Sequence, residues 1–239
     1  MTQVPDPDIV TAGRILVSEN VLDAFGHVSI RDPQTPDRFW LSSALPPSAV
    51  ELGDFMPCDM EGEPVGEPTG ALFAERVLHA AIYAARPDVN AICHHHAPAL
   101  LPFCIGAGSL YPVSQTGGFM GGPVPLWDSA ADFGATNMLV TTMDQARSVA
   151  DTLGDKPVVL MRGHGVTVAG GSLRELVFMA VYSAREAEHF LKTANFAPPL
   201  PLSEGELALT RKLSPAAVER AWLHWTADLP DSARKGDGE

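Results

Sequence analysis

The chain has 239 residues with 46% hydrophobic content, enough to bury a real core and best suited to one α/β domain with a trailing segment. A formal net charge of −13 and a pI near 4.9 provide no basic stripe to displace counterions from a phosphate backbone, which argues against a nucleic-acid partner. No window approaches the length of a membrane span, so no membrane partner is expected either.

Asp8 to Asn20 carries Ile9, Val10, Ile15 and Leu16 at roughly helical spacing and predicts a first helix. AFGHVSIRD alternates like a strand, DPQTPD is a turn cluster, and RFWLS reads as a second strand, together a hairpin with a longer loop. The two prolines of SALPPSAVELGDF prevent strand continuation, and CDMEGEPVGEP reads as a short hairpin. ALFAERVLHAAIYAAR is the best helix in the chain: Leu72, Phe73, Val77, Leu78, Ala81 and Ile82 mark a broad apolar face, and Pro87 fixes its end. VNAICHHH follows as a buried strand that enters a polar triplet. The uncharged passage GAGSLYPVSQTGGFMGGPVP predicts an irregular loop with short strands, since Leu110, Tyr111, Val113 and Phe119 favour burial.

Asp144 to Leu153 predicts a helix, PVVLM a strand ending in RGHG, and VTVAG a further strand. Ser172-Leu-Arg-Glu175 has the capping-box pattern and opens a long helix through Thr193. Ser214-Pro215 starts a last short helix with Trp222 and Trp225, and DSARKGDGE has the composition of a disordered tail. The expected organisation is a main domain over residues 1–213 and a C-terminal helix and tail over 214–239. Strands and helices mix without strict alternation, which predicts a mixed sheet between helical layers. Three cysteines, Cys58, Cys93 and Cys104, lack a repeating spacing and read as buried thiols of a reducing compartment. The N-terminus shows no secretory signal pattern, so the cytoplasm is the expected location.

The chemistry concentrates at Cys93-His94-His95-His96. On a strand His94 and His96 project to one side and His95 to the other, so two imidazoles on one face can meet a single cation. The plainer reading is a set of structural histidines, but each ring then needs partners for two nitrogens. In Arg162-Gly163-His164-Gly165 the glycines let the backbone bend and bring a third imidazole into a crowded site. Three protein nitrogens leave coordination positions open, as in a catalytic site. Glu75 stands among apolar neighbours on the preceding helix, with His79 one turn further on. It is either functional or paired with Arg76 or Arg86.

Glu75 with RVLHAAIYAARPDVNAICHHH, then LMRGHGVTVAG, and more loosely GHVSIRD resemble the class II aldolase/adducin family over about Asp8 to Thr193. The resemblance implies an α/β/α sandwich, a divalent cation on His94, His96 and His164, Glu75 as the acid/base, and a homotetramer with sites at subunit interfaces. Zinc is the first expectation for the cation, with manganese, cobalt or iron as alternatives. Sugar-phosphate members carry Asn in a GNVS-type segment and a Ser-Ser pair before the glutamate. Here His27 and Leu72-Phe73-Ala74 stand in those places, and Leu and Phe supply no donor to a phosphate.

The combination of GHVSIRD, the ER-x-x-H helix start, Pro98-x-Leu100-x-Pro102-Phe103 and LMRGHG resembles the family's aromatic-pathway decarboxylases, dihydroxyphthalate decarboxylase and hydroxy-carboxymuconate-semialdehyde decarboxylase. The implied activity is decarboxylation of a hydroxylated aromatic or muconate-type acid, with the cation stabilising the enolate. His27, Arg31, Arg162, His79 and Phe73 are the candidate substrate contacts, and Leu72, Phe103 and Phe119 the further apolar lining. For His27 a structural hydrogen bond in a turn, and for Arg162 an ion pair with Glu or Asp across an interface, remain open. A retro-aldol lyase or epimerase on an unphosphorylated hydroxy acid is the alternative reaction, and an adducin-like interaction module without catalysis the alternative of another class.

Overall fold

The computed structural model describes residues 4–68 and 70–230. The first helix, α1 (Asp8–Ser18), buries Ile9, Val10, Ala12, Ile15 and Leu16 on one side. β1 (His27–Arg31) and β2 (Arg38–Ser42) form the expected antiparallel hairpin. The proline-bearing stretch makes two single 3-10 turns, Pro47–Ala49 and Leu52–Asp54. β3 (Phe55–Asp59) then returns antiparallel to β2 along its whole length. The short hairpin expected at CDMEGEPVGEP is reduced to a bridge between Cys58 and Pro64, because Phe55 to Asp59 is committed to β2.

α2 (Arg76–Ala85) starts later than its apolar pattern suggests: Leu72 and Phe73 are irregular, and Ala74 and Glu75 form the turn that precedes it. β4 (Ala91–His95) is buried throughout. The uncharged glycine-rich passage forms no strand of its own. α3 (Leu101–Ile105) precedes it, and a 3-10 turn over Gln115–Met120 sits within it. A buried carboxylate, Glu186, holds this loop by accepting from the backbone N–H of Val113 and Ser114 and from the Ser114 hydroxyl. A Cβ on Gly117 would lie 2.3 Å from the Glu186 carboxyl carbon, so that contact requires glycine.

β5 (Leu126–Trp127), α4 (Ser129–Phe133) and α5 (Met143–Leu153) lead to β6 (Val158–Met161) and β7 (Gly165–Gly170). α6 (Leu173–Ala194) is capped by Ser172, whose hydroxyl accepts from the Glu175 N–H. α7 (Glu204–Thr210) and α8 (Pro215–Asp228) complete the described chain.

The seven strands lie in the order β3-β2-β1-β4-β7-β6-β5, antiparallel except for the β5–β6 pair. This is the expected α/β sandwich with a mixed, largely antiparallel sheet. Alternation along β4 sends Ala91 and Cys93 into the core under α1, α6 and α8, and Ile92 into the core under α2 and α5. α8 belongs to the first of these layers. Trp222 and Trp225 are buried there, and Arg174 lies over Trp222 while pairing with Asp8 and Glu219. The segment expected to be disordered, residues 231–239, lies outside the described residues. All three cysteines are buried and free, and no helix among the described residues is long and apolar enough to cross a membrane.

Candidate metal centre

Strand register sets the first row of the site. His27 of β1 pairs with His94 of β4, and His94 with Thr167 of β7, so three polar side chains stand abreast on the sheet face covered by α2 and α5. His94 is fully buried, with Nδ1 3.1 Å from Thr167 Oγ1. The Thr167 hydroxyl proton is directed at the Met161 sulfur, 3.5 Å away, so its oxygen accepts from His94 Nδ1–H. The lone pair of His94 Nε2 is thereby turned into the site, and that atom is buried with no hydrogen-bond partner. Leaving a buried polar atom unpaired costs about 1–3 kcal/mol.

His96 follows the end of β4 and meets His94 edge to face at a centroid distance of 4.9 Å. His164 comes from the β6–β7 turn. Gly163 there adopts φ +66°, the left-handed region, and a Cβ on it would come within 2.7 Å of Met138 Sδ. A Cβ on Gly165 would lie 2.6 Å from both the His95 carbonyl oxygen and His96 Cδ2. The two glycines therefore allow His164 to close on the triplet, with ring centroids 4.8 Å from His94 and 5.4 Å from His96. One ligating atom from each of the three rings lies within 4.8 Å of the others. His95 points to the opposite face, where its Nδ1 accepts from the Ala97 N–H.

Glu75 occupies the N-cap position of α2 rather than its interior. Its Oε2 lies 3.6 Å from His94 Nε2 and 3.4 Å from His164 Nε2, and its Oε1 accepts from the Val140 N–H at 2.9 Å. Neither arginine considered as its partner holds it. Arg76 pairs with Glu63, and Arg86 with Asp88. Burial by itself would raise the Glu75 carboxyl. The His164 hydrogen bond, the His94 and His164 rings and the Val140 N–H outweigh it and hold the group at about 2. Burial also pushes His94 well below the ordinary imidazole value. These demands conflict: an ionised Glu75 calls for positive charge beside it, and burial denies His94 the proton that would supply it.

A cavity of about 410 Å³ opens over these groups. Of the candidate substrate contacts, His27 and Phe73 line it, their rings 4.4 Å apart. The other three do not. His79 lies behind His27, its Nε2 2.7 Å from His27 Nδ1. Arg31 is spent on the backbone carbonyls of Val89, Pro36, Tyr83 and Arg86, which hold the guanidinium away from the cavity. Arg162 pairs with Asp128 at 2.7 Å, an ion pair made within the chain rather than across an interface. Phe103 and Phe119 pack into the core on the opposite side of the sheet, against Phe190 and Phe178, because α3 and the glycine-rich loop lie there. Leu72 packs against the core under α2 and α5. Sequence reasoning missed Phe25, Asn137, Met138 and Leu139 at the cavity mouth. The only local signal was the apolar run Met138-Leu139-Val140 between Asn137 and Thr141.

Residues 7–191 match the Class II Aldolase and Adducin N-terminal domain model. The chain belongs to the class II aldolase/adducin family. It is 30% identical to Decarboxylase tropJ of Talaromyces stipitatus, covering 95% of this chain and 94% of that protein. It is 29% identical to 3,4-dihydroxyphthalate decarboxylase of Arthrobacter keyseri, over 72% of each chain. Among solved structures, an aldolase II superfamily protein from Pseudomonas syringae superposes with a TM-score of 0.78 at 22% identity, covering 96% of this chain and 94% of that one. Both of these sequence relatives are decarboxylases, enzymes of the same family.

Proposed function

We propose that the chain is a metal-dependent carbon–carbon lyase that decarboxylates a hydroxylated aromatic or muconate-type acid, with a divalent cation held by His94, His96 and His164. The observation that carries this reading is the convergence of one ligating nitrogen from each of His94, His96 and His164 within 4.8 Å, His94 Nε2 buried and without a hydrogen-bond partner, beside an ionised Glu75. Neutral imidazole nitrogens are the donor set that zinc, manganese, cobalt and iron accept, zinc first, and three of them leave positions for a substrate. A cation there also resolves the charge conflict at Glu75. When bound it supplies Lewis acidity, a sink for the negative charge released as the bond to the carboxylate breaks.

The remaining work falls to side chains of the cavity. Val140 pins Glu75 through Oε1, which leaves Oε2 to take a proton from a substrate hydroxyl and return it to the carbon that loses carbon dioxide. Phe73 beside His27, with Phe25, Met138 and Leu139 at the mouth, forms an apolar slot suited to a planar ring. Phe25 is 68% exposed, an apolar rim that a neighbouring subunit of a homotetramer would cover. Three free buried thiols support a cytoplasmic location.

Incubating metal-loaded protein with a panel of ortho-hydroxylated aromatic and muconate-type acids tests the reaction. Carbon dioxide release that a chelator abolishes is the expected result. An aldehyde product in place of carbon dioxide would assign the site to retro-aldol cleavage, and turnover unaffected by complete demetallation would overturn the metal-dependent reading.

A further inference from the structure

We infer that Tyr83, Ser29 and His79 form a one-way hydrogen-bond chain that fixes His27 as its Nε2–H tautomer, so that the ring presents a donor to the cavity for an anionic oxygen of the ligand. The inference deepens the reading above and rests on it, since the carboxylate of an acid substrate is the group such a donor would grip.

The chain is short and buried. Tyr83 OH lies 2.8 Å from Ser29 Oγ, Ser29 Oγ 2.6 Å from His79 Nδ1, and His79 Nε2 2.7 Å from His27 Nδ1. Tyr83, Ser29 and His79 are each no more than 1% exposed. Only two segments build it. Alternation along β1 puts His27 and Ser29 on the same sheet face, and α2 lays His79 and Tyr83, one turn apart, across them.

Its direction follows from the placement of protons. Among the described residues the Tyr83 hydroxyl meets Ser29 Oγ and the Ile92 backbone N–H, and since an N–H can only donate, Ser29 is the one acceptor within reach of the phenol proton. A buried O–H without an acceptor is costlier than an oxygen with an unused lone pair, so Tyr83 donates and Ser29 accepts. Ser29 then directs its own proton to His79 Nδ1. Burial keeps His79 neutral, down to about 3, so with Nδ1 accepting its single proton sits on Nε2 and is donated to His27 Nδ1. A neutral His27 must then carry its proton on Nε2. The reverse order would strand the Tyr83 proton in the core. A doubly protonated His27 fails for the same reason, because its Nδ1–H would turn the whole chain around. The other edge of the ring faces the cavity beside Phe73, and no described residue accepts from Nε2 there. His79, Ser29 and Tyr83 are thus positioning residues, and His27 is the group that touches the ligand.

Two readouts test this. Long-range 1H–15N correlation on the purified protein with 15N-labelled histidine, assigned with His27→Asn, is expected to show Nε2 protonated and Nδ1 bare at His27. Ser29→Ala should release the ring into a mixture of tautomers. Tyr83→Phe, which keeps the packed ring but removes the first proton of the chain, should do the same. A protonated Nδ1 in the wild type overturns the inference, as does an unchanged tautomer in both variants. The second readout is calorimetric binding of 3,4-dihydroxybenzoate and of catechol, which lacks the carboxylate, to the zinc-loaded protein. Ser29→Ala should weaken the acid about tenfold, the size of one hydrogen bond to a charged group, and leave catechol unchanged. Equal weakening of both probes, or of neither, contradicts the donor role. A wild type that binds neither probe counts against the acid substrate itself, and the ring signals then decide the chain.

Discussion

Gly163→Ala perturbs the site through the backbone while leaving every proposed ligand in place. Gly163 sits at φ +66°, where an L side chain costs about 1–2 kcal/mol. The new Cβ would also come within 2.7 Å of Met138 Sδ, the far end of a flexible side chain that can move aside cheaply. Urea denaturation of the chelator-treated variant should therefore show a loss of about 1–2 kcal/mol, mostly from the backbone. The effect on the cation should exceed the effect on folding. The strained residue adjoins His164, and Met138 lines the same cavity, so zinc affinity measured against a competing chelator should fall about 10- to 100-fold, as when groups that orient metal ligands are removed. Adding Met138→Ala supplies room and should restore the steric share only. If Gly163→Ala binds zinc as tightly as the wild type and unfolds at the same urea concentration, the left-handed turn does not position His164 and the reasoning fails.

Glu75→Gln should retain the cation yet lose about 10²- to 10⁴-fold in turnover, the usual worth of a positioned acid/base; metal loss in that variant would recast Glu75 as a ligand. Arg31→Ala removes four contacts to backbone carbonyls, so the urea midpoint should drop by the equivalent of about 2–3 kcal/mol while KM for the acid substrate stays put. A raised KM with unchanged stability would return Arg31 to the cavity. His79 is held down to about 3 by burial and stays neutral in the native state, whereas the unfolded chain binds that proton below about 6.5. Its contribution is whole above pH 6.5 and is lost as pH falls towards 3, at about 1.4 kcal/mol per pH unit. Between pH 6.5 and 5 the wild-type urea midpoint should therefore fall more steeply than that of His79→Asn, and parallel slopes would contradict the assignment.

The clustering of His94, His96 and His164 was legible in the sequence for definite reasons. Two-residue alternation at the end of an apolar strand fixes the side to which His94 points, and glycines flank a third histidine where a strand must reverse. The apolar setting of Glu75 left a functional role and an ion pair with Arg76 or Arg86 both open, and its place at the helix N-cap was hidden because Leu72 and Phe73 mimic the first turn of the helix. The arginines were not legible. Whether Arg31 reaches a ligand or a set of carbonyls depends on how β1 packs against α2, a contact between segments some fifty residues apart. The same holds for the cavity mouth, where Phe25 and Met138 are neighbours only after β4 and the β6–β7 turn have met. α3, α4 and α7 are each too short for a hydrophobic period to develop, and β3 was concealed by the proline within it.

The central claim is that His94, His96 and His164 share one cation. Anomalous scattering from a crystal of the zinc-loaded protein, recorded on both sides of the zinc edge, is the most direct test. The account predicts a single strong peak between these three rings in the wild type and its loss in His94→Ala and His164→Ala. A peak elsewhere, or undiminished metal in those variants, would contradict it.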